Sequence, residues 1–329
     1  MKDTFNFIAP KNTSSYIKVI GVGNDGTNAV NYFFHQGIAG VDFIVCNTDS
    51  KSLDGSPVTN KIQLDGGLGT CNMPELAERY AKDNAEKIKE ILSINTSLLF
   101  IVAGMGGATG TGAAPEIARI AKAMDLNDKD LQKMTVVALV TTPFRFEGEK
   151  RMEQALAGLD ELRKYADAIM VIDNNKIFQG EEVSVQKAFA KSDEAMLDTI
   201  RVFTDMITVP AAVYVDLRDI QTLLNNAGDF FVGSGIAEGE TRVLDAASQA
   251  LTKSLSAVSD ISTSQRILLH FTCSEEHEIT AQELEEATDY LLGDRKEKTI
   301  ILWGLGYDNT LGEKVRVTIV AAKGGQHNL

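Results

Sequence analysis

The run Ala103-Gly104-Met105-Gly106-Gly107-Ala108-Thr109-Gly110-Thr111-Gly112-Ala113-Ala114-Pro115 constrains this chain more than any other stretch. The apolar residues Leu98–Val102 before it read as a buried strand, and Glu116–Met124 after it read as a helix. Glycines at such a junction remove the Cβ atoms that would keep backbone N–H groups from converging. The helix that follows adds unpaired N–H groups and the positive end of its dipole. The natural occupant carries several anionic oxygens, to which the hydroxyls of Thr109 and Thr111 can donate. A Gly-rich turn with no ligand is the plainer reading. No lysine interrupts the run, so it is not the usual P-loop. Its place after a third strand also sets it apart from an ordinary dinucleotide fingerprint.

A chain of 329 residues can bury a large core and divide into two domains. Its formal charge of -14 disfavours a nucleic-acid partner or an anionic membrane surface. Cys46, Cys71 and Cys273 are widely spaced, form neither a metal nor a disulfide pattern, and fit the reduced thiols of a cytoplasmic protein. With no signal peptide and no membrane-length apolar segment, direct membrane insertion is not expected.

Residues 1–16 read as a loosely tethered arm. A strand from Ile17, a glycine turn over Gly21–Thr27, a helix over 28–37 and a strand over Asp42–Cys46 make an opening βαβ unit. Asp49, just past the second strand, reaches a ribose or, through water, a cation; capping the next turn is an equal alternative. Residues 74–92 read as one charged helix. Further strands are expected over Met134–Leu139 and Ala168–Ile172. Glu147 and Arg151, four apart at a helix start, face one ligand or pair with each other. Repeated βα units imply an α/β sheet whose ligand edge lies at the strand C-terminal ends.

Residues 184–207 support one helix roughly 36 Å long at 1.5 Å per residue, enough to bridge two domains. Asp193 and Glu194 on it either meet the ligand of the glycine loops or form a solvated face. Asp216 and Asp219, three apart at a helix start, either orient water and a cation or cap that helix. Strands at Phe230–Gly235, Ile267–Thr272, Thr299–Trp303 and Val315–Ala321, with a Thr280/Glu283-capped helix, make a smaller α+β domain with Trp303 in its core.

The segment 104–115, with Asn47-Thr48-Asp49, Pro143-Phe144-Arg145-Phe146-Glu147-Gly148, Gly233-Ser234-Gly235 and Val315–Val320, resembles the tubulin/FtsZ family of GTPases. Its bacterial cell-division branch is the nearer match. The motifs stand in family order across about residues 17–322. The resemblance implies a tubulin-like GTP-binding α/β domain over 17–183, a connecting helix over 184–207, a C-terminal α+β activation domain over 208–322 and a short tail over 323–329. It implies head-to-tail polymerisation in the cytoplasm, concentrated at the division site, with GTP or GDP and Mg2+ as cofactors. Division or membrane-tethering proteins are implied as further partners, and the match stops short of the linker and terminal peptide through which family members recruit tethers.

Carried residue by residue, the guanosine contacts fall on Glu147, Arg151, Asn174, Asp193 and Glu194. The phosphates fall near Gly21, Gly26, Gly106, Gly107, Ala108, Thr109, Gly110 and Thr111. Asp216 and Asp219 correspond to the two acids that one subunit supplies to its neighbour for hydrolysis. Several positions depart from the family pattern. Asn24-Asp25 interrupts a multi-glycine loop, and its carboxylate repels phosphate unless it turns away or meets a cation. Thr70-Cys71-Asn72 replaces small residues, Tyr214 replaces an asparagine, and Asp193-Glu194 replaces an Asn-Asp pair. These changes make a filament partner or regulator with weak or absent hydrolysis the alternative. An oxidoreductase on a dinucleotide fold explains the first turn and neither the central run nor the trailing domain.

Overall fold

The computed structural model describes residues 15–65, 67, 69–124, 133–178, 184–208, 211–258, 260–293 and 298–323. The arm and the tail expected at the two ends lie almost wholly outside them. Six strands build the first half: β1 (Ile17–Val22), β2 (Val41–Asn47), β3 (Asn60–Gln63), β4 (Leu98–Gly104), β5 (Thr135–Thr142) and β6 (Ala168–Asp173). All pair in parallel, in the order β3-β2-β1-β4-β5-β6. Every residue of β1, β4 and β5 is buried, because helices cover both faces of the sheet. Those helices are α1 (Gly23–His35), α2 (Ser50–Asp54), α3 (Pro74–Asp83), α4 (Ala85–Leu92), α5 (Ala108–Lys122) and α6 (Glu149–Leu162). Strand order reverses between β1 and β4, which opens a crevice at their C-terminal ends.

The single helix expected over 74–92 is broken at Asn84, whose side chain donates to Leu64 O at 2.7 Å and Tyr80 O at 2.9 Å. A side-chain amide that bonds backbone carbonyls competes with the helical ladder, and here it wins for one residue.

The long helix α7 (Val185–Thr208) runs 24 residues. Its Phe203 ring lies 5.7 Å from Phe100 on β4 and 6.5 Å from Phe230, so α7 packs on both halves of the molecule. The second half holds β7 (Ala211–Val213), α8 (Leu217–Leu224), β8 (Gly228–Ala237), α9 (Arg242–Thr252), β9 (Arg266–Cys273), α10 (Ala281–Leu292), β10 (Ile300–Tyr307) and β11 (Val315–Ala322). A short parallel pairing of β6 with β8, at Ala168↔Gly228 and Ile169↔Asp229, joins the halves into one eleven-stranded sheet. The fold is thus an α/β nucleotide-binding layer, a long connecting helix and a smaller α+β unit. The Thr280/Glu283 capping box forms as expected, with Glu283 N donating to Thr280 Oγ1 at 3.2 Å.

Trp303 corrects the sequence reading: it is 44% exposed and stands outside the core. Strand β7 pairs only with Leu305 and Gly306 of β10, so the first half of β10 is an open edge where Ile300 and Trp303 meet solvent.

Candidate functional site

Strand β4 ends at Gly104, and two residues later the chain turns at Gly106 with φ at +95°, a conformation that favours glycine. A Cβ at Gly106 would also stand 2.6 Å from Pro143 Cγ. The turn is pinned by Gly106 N donating to Thr111 Oγ1 at 2.8 Å and by Met105 N donating to Thr141 O at 2.9 Å. Helix α5 then starts with Gly107 at its N-cap, where no side chain caps it. Its first N–H groups therefore face the cavity ahead of them. A Cβ at Gly107 would point into open space, with Arg151 Nη2 the nearest atom at 3.9 Å.

That cavity is about 570 Å³ and is closed on its other sides by the turn after β1, the end of β2 and the loop carrying Gly69–Asn72. Buried Asn47 fastens two of these walls, donating from Nδ2 to Asn24 Oδ1 at 2.9 Å and accepting from Thr48 N at 2.8 Å. The Thr48 and Thr109 hydroxyls lie 2.9 Å apart across the crevice. Lys51 and Arg151 supply the lining cations, and Asp25 and Asp49 the lining carboxylates. Asp49 also accepts from Lys51 N at 3.0 Å, so the capping alternative is realised in a residue that lines the cavity.

A second cavity of about 410 Å³ adjoins the first and shares Asp25, Gly104 and Arg151 with it. Its walls include Pro143, Glu147, Asn174, Phe189, Ser192 and Asp193. Glu147 accepts from Phe144 N at 2.9 Å and from Arg151 Nη1 at 2.8 Å, so the expected ion pair forms on the cavity wall itself. Phe189 meets Phe144 edge to face at 5.1 Å, which fixes an aromatic surface beside the buried Asn174 and its partner Ser192. The two cavities make a polar chamber full of backbone donors beside a chamber with aromatic and amide walls.

Burial pushes the Asp193 carboxyl up to about 7, with the charge of Asp25 adding to the effect. Asp25 is raised in the same direction, first by desolvation and further by Glu147, while Arg151 opposes the rise. Its carboxyl is open to the cavity yet walled by protein elsewhere, because Gly104 leaves room for it: a Cβ there would stand 2.1 Å from Asp25 Oδ2.

Of the residues singled out from the sequence, Gly26, Asp49, Gly107, Ala108, Thr109, Gly110, Glu147, Arg151, Asn174 and Asp193 line one cavity or the other. Gly21, Gly106 and Thr111 lie behind the walls: a Cβ on Gly21 would meet Gly26 O at 2.2 Å, and Thr111 is spent on Gly106. Glu194 is not brought to the site; one position past Asp193, it sits on the exposed side of α7. Asp216 and Asp219 line neither cavity. They close a capping box at the start of α8, with Asp219 N donating to Asp216 Oδ1 at 2.9 Å and Asp216 N to Asp219 Oδ2 at 3.1 Å. Tyr214 beside them is 68% exposed. Phe189 and Met196 are not among the residues singled out from the sequence, because apolar residues at helical spacing read as packing positions; with Gln186 and Asp193 they form an i, i+3, i+7, i+10 stripe that faces the cavity.

An uncapped helix start at the strand-order reversal of a parallel sheet, opening into such paired chambers, defines a nucleotide-binding α/β protein. A model described as "Tubulin/FtsZ family, GTPase domain" matches residues 16–181, and one described as "FtsZ family, C-terminal domain" matches residues 228–324. The cell division protein FtsZ of Porphyromonas gingivalis is 36% identical over 312 residues, which cover 93% of this chain and 66% of that protein. FtsZ of a Wolbachia species is 36% identical over 315 residues, covering 93% of this chain and 78% of its own length. The solved structure titled "FtsZ dimer, empty (M. jannaschii)" superposes with a TM-score of 0.81 at 32% identity, covering 95% of this chain and 89% of that one. This chain belongs to the tubulin/FtsZ family, on its FtsZ side.

Proposed function

We propose that this chain is a GTP-binding cytoskeletal protein of bacterial division that assembles head to tail and hydrolyses GTP between subunits. The pair of adjoining cavities carries the reading. In it the phosphates rest on the N–H groups of the first turn of α5, with Thr109 donating and Gly107 and Gly110 leaving the approach open. Gly21 and Gly106 serve by letting backbone segments come close. The base lies in the second chamber beside Phe189, where Asn174 and Asp193 meet its polar edge. Two donors of guanine, N1–H and N2–H, suit an aspartate acceptor.

Among the described residues no three His, Cys, Asp or Glu side chains gather as a metal site. Mg2+ would come with the nucleotide in this reading, and would supply compensation for the charge developing on the transferred phosphoryl group. Asp216 and Asp219 are offered to the next subunit, where their free carboxylate lone pairs orient the attacking water. Tyr214 favours a second reading, a filament partner that binds nucleotide and turns it over slowly or not at all, because a phenol ring cannot supply a carboxamide's donor and acceptor together.

Calorimetric titration with GTP and with GDP, with and without Mg2+, tests the binding step. Saturable binding of both is expected. Binding of neither, with Mg2+ present, removes the nucleotide reading and leaves the fold standing.

A further inference from the structure

The place where the two cavities adjoin is crowded with acid. Asp25 from α1 and Arg151 from α6 line both cavities, and Glu147 from the turn before α6 and Asp193 from α7 line the second. Among the described residues Arg151 is the only cation lining the second cavity, and it is bonded to Glu147 at 2.8 Å. Among the described residues no donor hydrogen-bonds the carboxyl of Asp25 or Asp193. The remaining titratable groups of the chamber, Asp49, Lys51 and Cys71, line the first cavity. From β4, β5 and α5 the lining residues are Val102–Met105, Gly107–Gly110, Thr141 and Thr142, none of which titrates.

Any ligand that occupies both chambers must cross Asp25. Two like charges beside a polyanion raise each other's pKa, which disfavours ionising both, so one carboxyl keeps a proton. Which one is decided by what each faces. The base side offers N–H donors, which favour a charged acceptor at Asp193; the phosphate oxygens are acceptors, which favour an O–H donor at Asp25. Resting on the GTP reading above, we propose that Asp25 acts in the nucleotide complex as a neutral carboxylic acid, donating its O–H to the ribose–phosphate segment, while Asp193 carries the negative charge toward the base. Asp25 is thereby a specificity-determining residue that makes nucleotide affinity depend on a proton.

The raised pKa values of both acids, with Asp193 at about 7, place the pair where this matters. While the free protein already holds the proton the complex needs, affinity is flat. At higher pH the complex must take a proton up, so affinity falls as pH rises, by up to roughly tenfold per pH unit for one proton.

The experiment compares GTP dissociation constants of the wild type and Asp25→Asn (D25N) between pH 6 and 9 at fixed Mg2+. The amide keeps a donor without the charge, and the ligand's own ionisation cancels in the ratio of the two constants. A ratio near one at pH 6, growing to about tenfold or more in favour of D25N by pH 8.5, is expected. Calorimetry of the wild type at pH 8 in two buffers of different ionisation enthalpy adds a check that needs no variant, and uptake of close to one proton is expected. A pH-independent ratio, a D25N protein that binds more weakly at every pH, or no proton uptake overturns the proposal. So does recovery of wild-type affinity at pH 8.5 on raising Mg2+, which would assign the neutralisation to a cation. If neither protein binds GTP at any pH, the nucleotide reading itself fails and takes this proposal with it.

Discussion

The glycine cradle at the end of β4 and the acidic turn at the start of α8 are both helix N-termini, and they are finished in opposite ways. Helix α5 begins on Gly107 with no side-chain cap, so its first donors open into a walled chamber. Helix α8 begins on Asp216, whose carboxylate takes Asp219 N while Asp219 returns the bond. One end is left unsatisfied inside the protein, where an unmet donor is costly, and an anion is what completes it. The other is satisfied at the surface by its own residues and needs no ligand to be stable. The cradle therefore presents open backbone donors within one chain, whereas the acidic turn has to offer only the carboxylate lone pairs its cap leaves over.

The largest effect comes from adding side chains to the cradle at two positions that differ in what a Cβ would meet. At Gly110 it would stand 2.4 Å from the backbone oxygen of Gly104, which cannot yield without moving β4. Gly110→Val (G110V) should destabilise the protein by about 3 kcal/mol or more, the upper range for overpacking. At Gly107 the added group enters open space, so Gly107→Val (G107V) should leave the melting temperature close to wild type while weakening GTP at least about tenfold, or roughly 1.4 kcal/mol. Parallel melts and titrations separate the two. Equal melting temperatures for G110V and G107V would show that the cradle is not packed as described.

The same contrast explains what the sequence could reveal. The eight glycines within residues 21–26 and 104–112 leave a compositional mark, because at all but Gly107 an added Cβ would stand 3.0 Å or less from a neighbouring atom, and the fold class followed from the βα repeats around them. Buried strands such as β4 and β5 announced themselves as unbroken apolar runs. The short strands β3 and β7, of 4 and 3 residues, carry too little pattern to register. The break at Asn84 depends on Leu64, twenty residues away, and so is invisible to helical periodicity. At the site, Asp193 and Glu194 look alike in sequence, but adjacent helix positions point about 100° apart and only one can face the chamber. Trp303 misled because an aromatic in a strand reads as core until the neighbouring strand proves too short to cover it.

A smaller effect tests whether the acidic turn does more than cap its helix. Asp216→Ala (D216A) removes both the cap and the carboxylate; the cap alone is worth about 1 kcal/mol. Asp216→Ser (D216S) keeps a side-chain oxygen for Asp219 N and removes only the charge. D216S should therefore hold stability within about 0.5 kcal/mol of wild type, yet under assembly conditions release phosphate about 100-fold more slowly, as D216A does. GTP affinity of the monomer should change in neither, since Asp216 lines neither cavity. Wild-type phosphate release from D216S would reduce the acidic turn to a helix cap and leave the cradle as the protein's whole chemical equipment.

The smallest effect belongs to Tyr214, which stands two residues before the acidic turn and is 68% exposed. A side chain so placed buries little, and Tyr214→Asn (Y214N) should shift stability by no more than about 0.5 kcal/mol. On the proposed function its consequence appears only when a second subunit arrives, where an asparagine would offer both a donor and an acceptor to the water assigned there to Asp216 and Asp219. A few-fold rise in phosphate release is expected, which corresponds to less than about 1.4 kcal/mol of barrier. The measurement is steady-state release at protein concentrations that form filaments, with filament mass followed by sedimentation so that assembly and turnover are not confused. A fall in release with normal filaments would mean that the phenol ring contributes to the shared site and that asparagine is the poorer residue here. If Y214N and wild type both bind GTP tightly, both form filaments and neither releases phosphate, the acidic turn has no catalytic part in this chain. Nucleotide would then act as a structural ligand of the filament, held by the cradle alone.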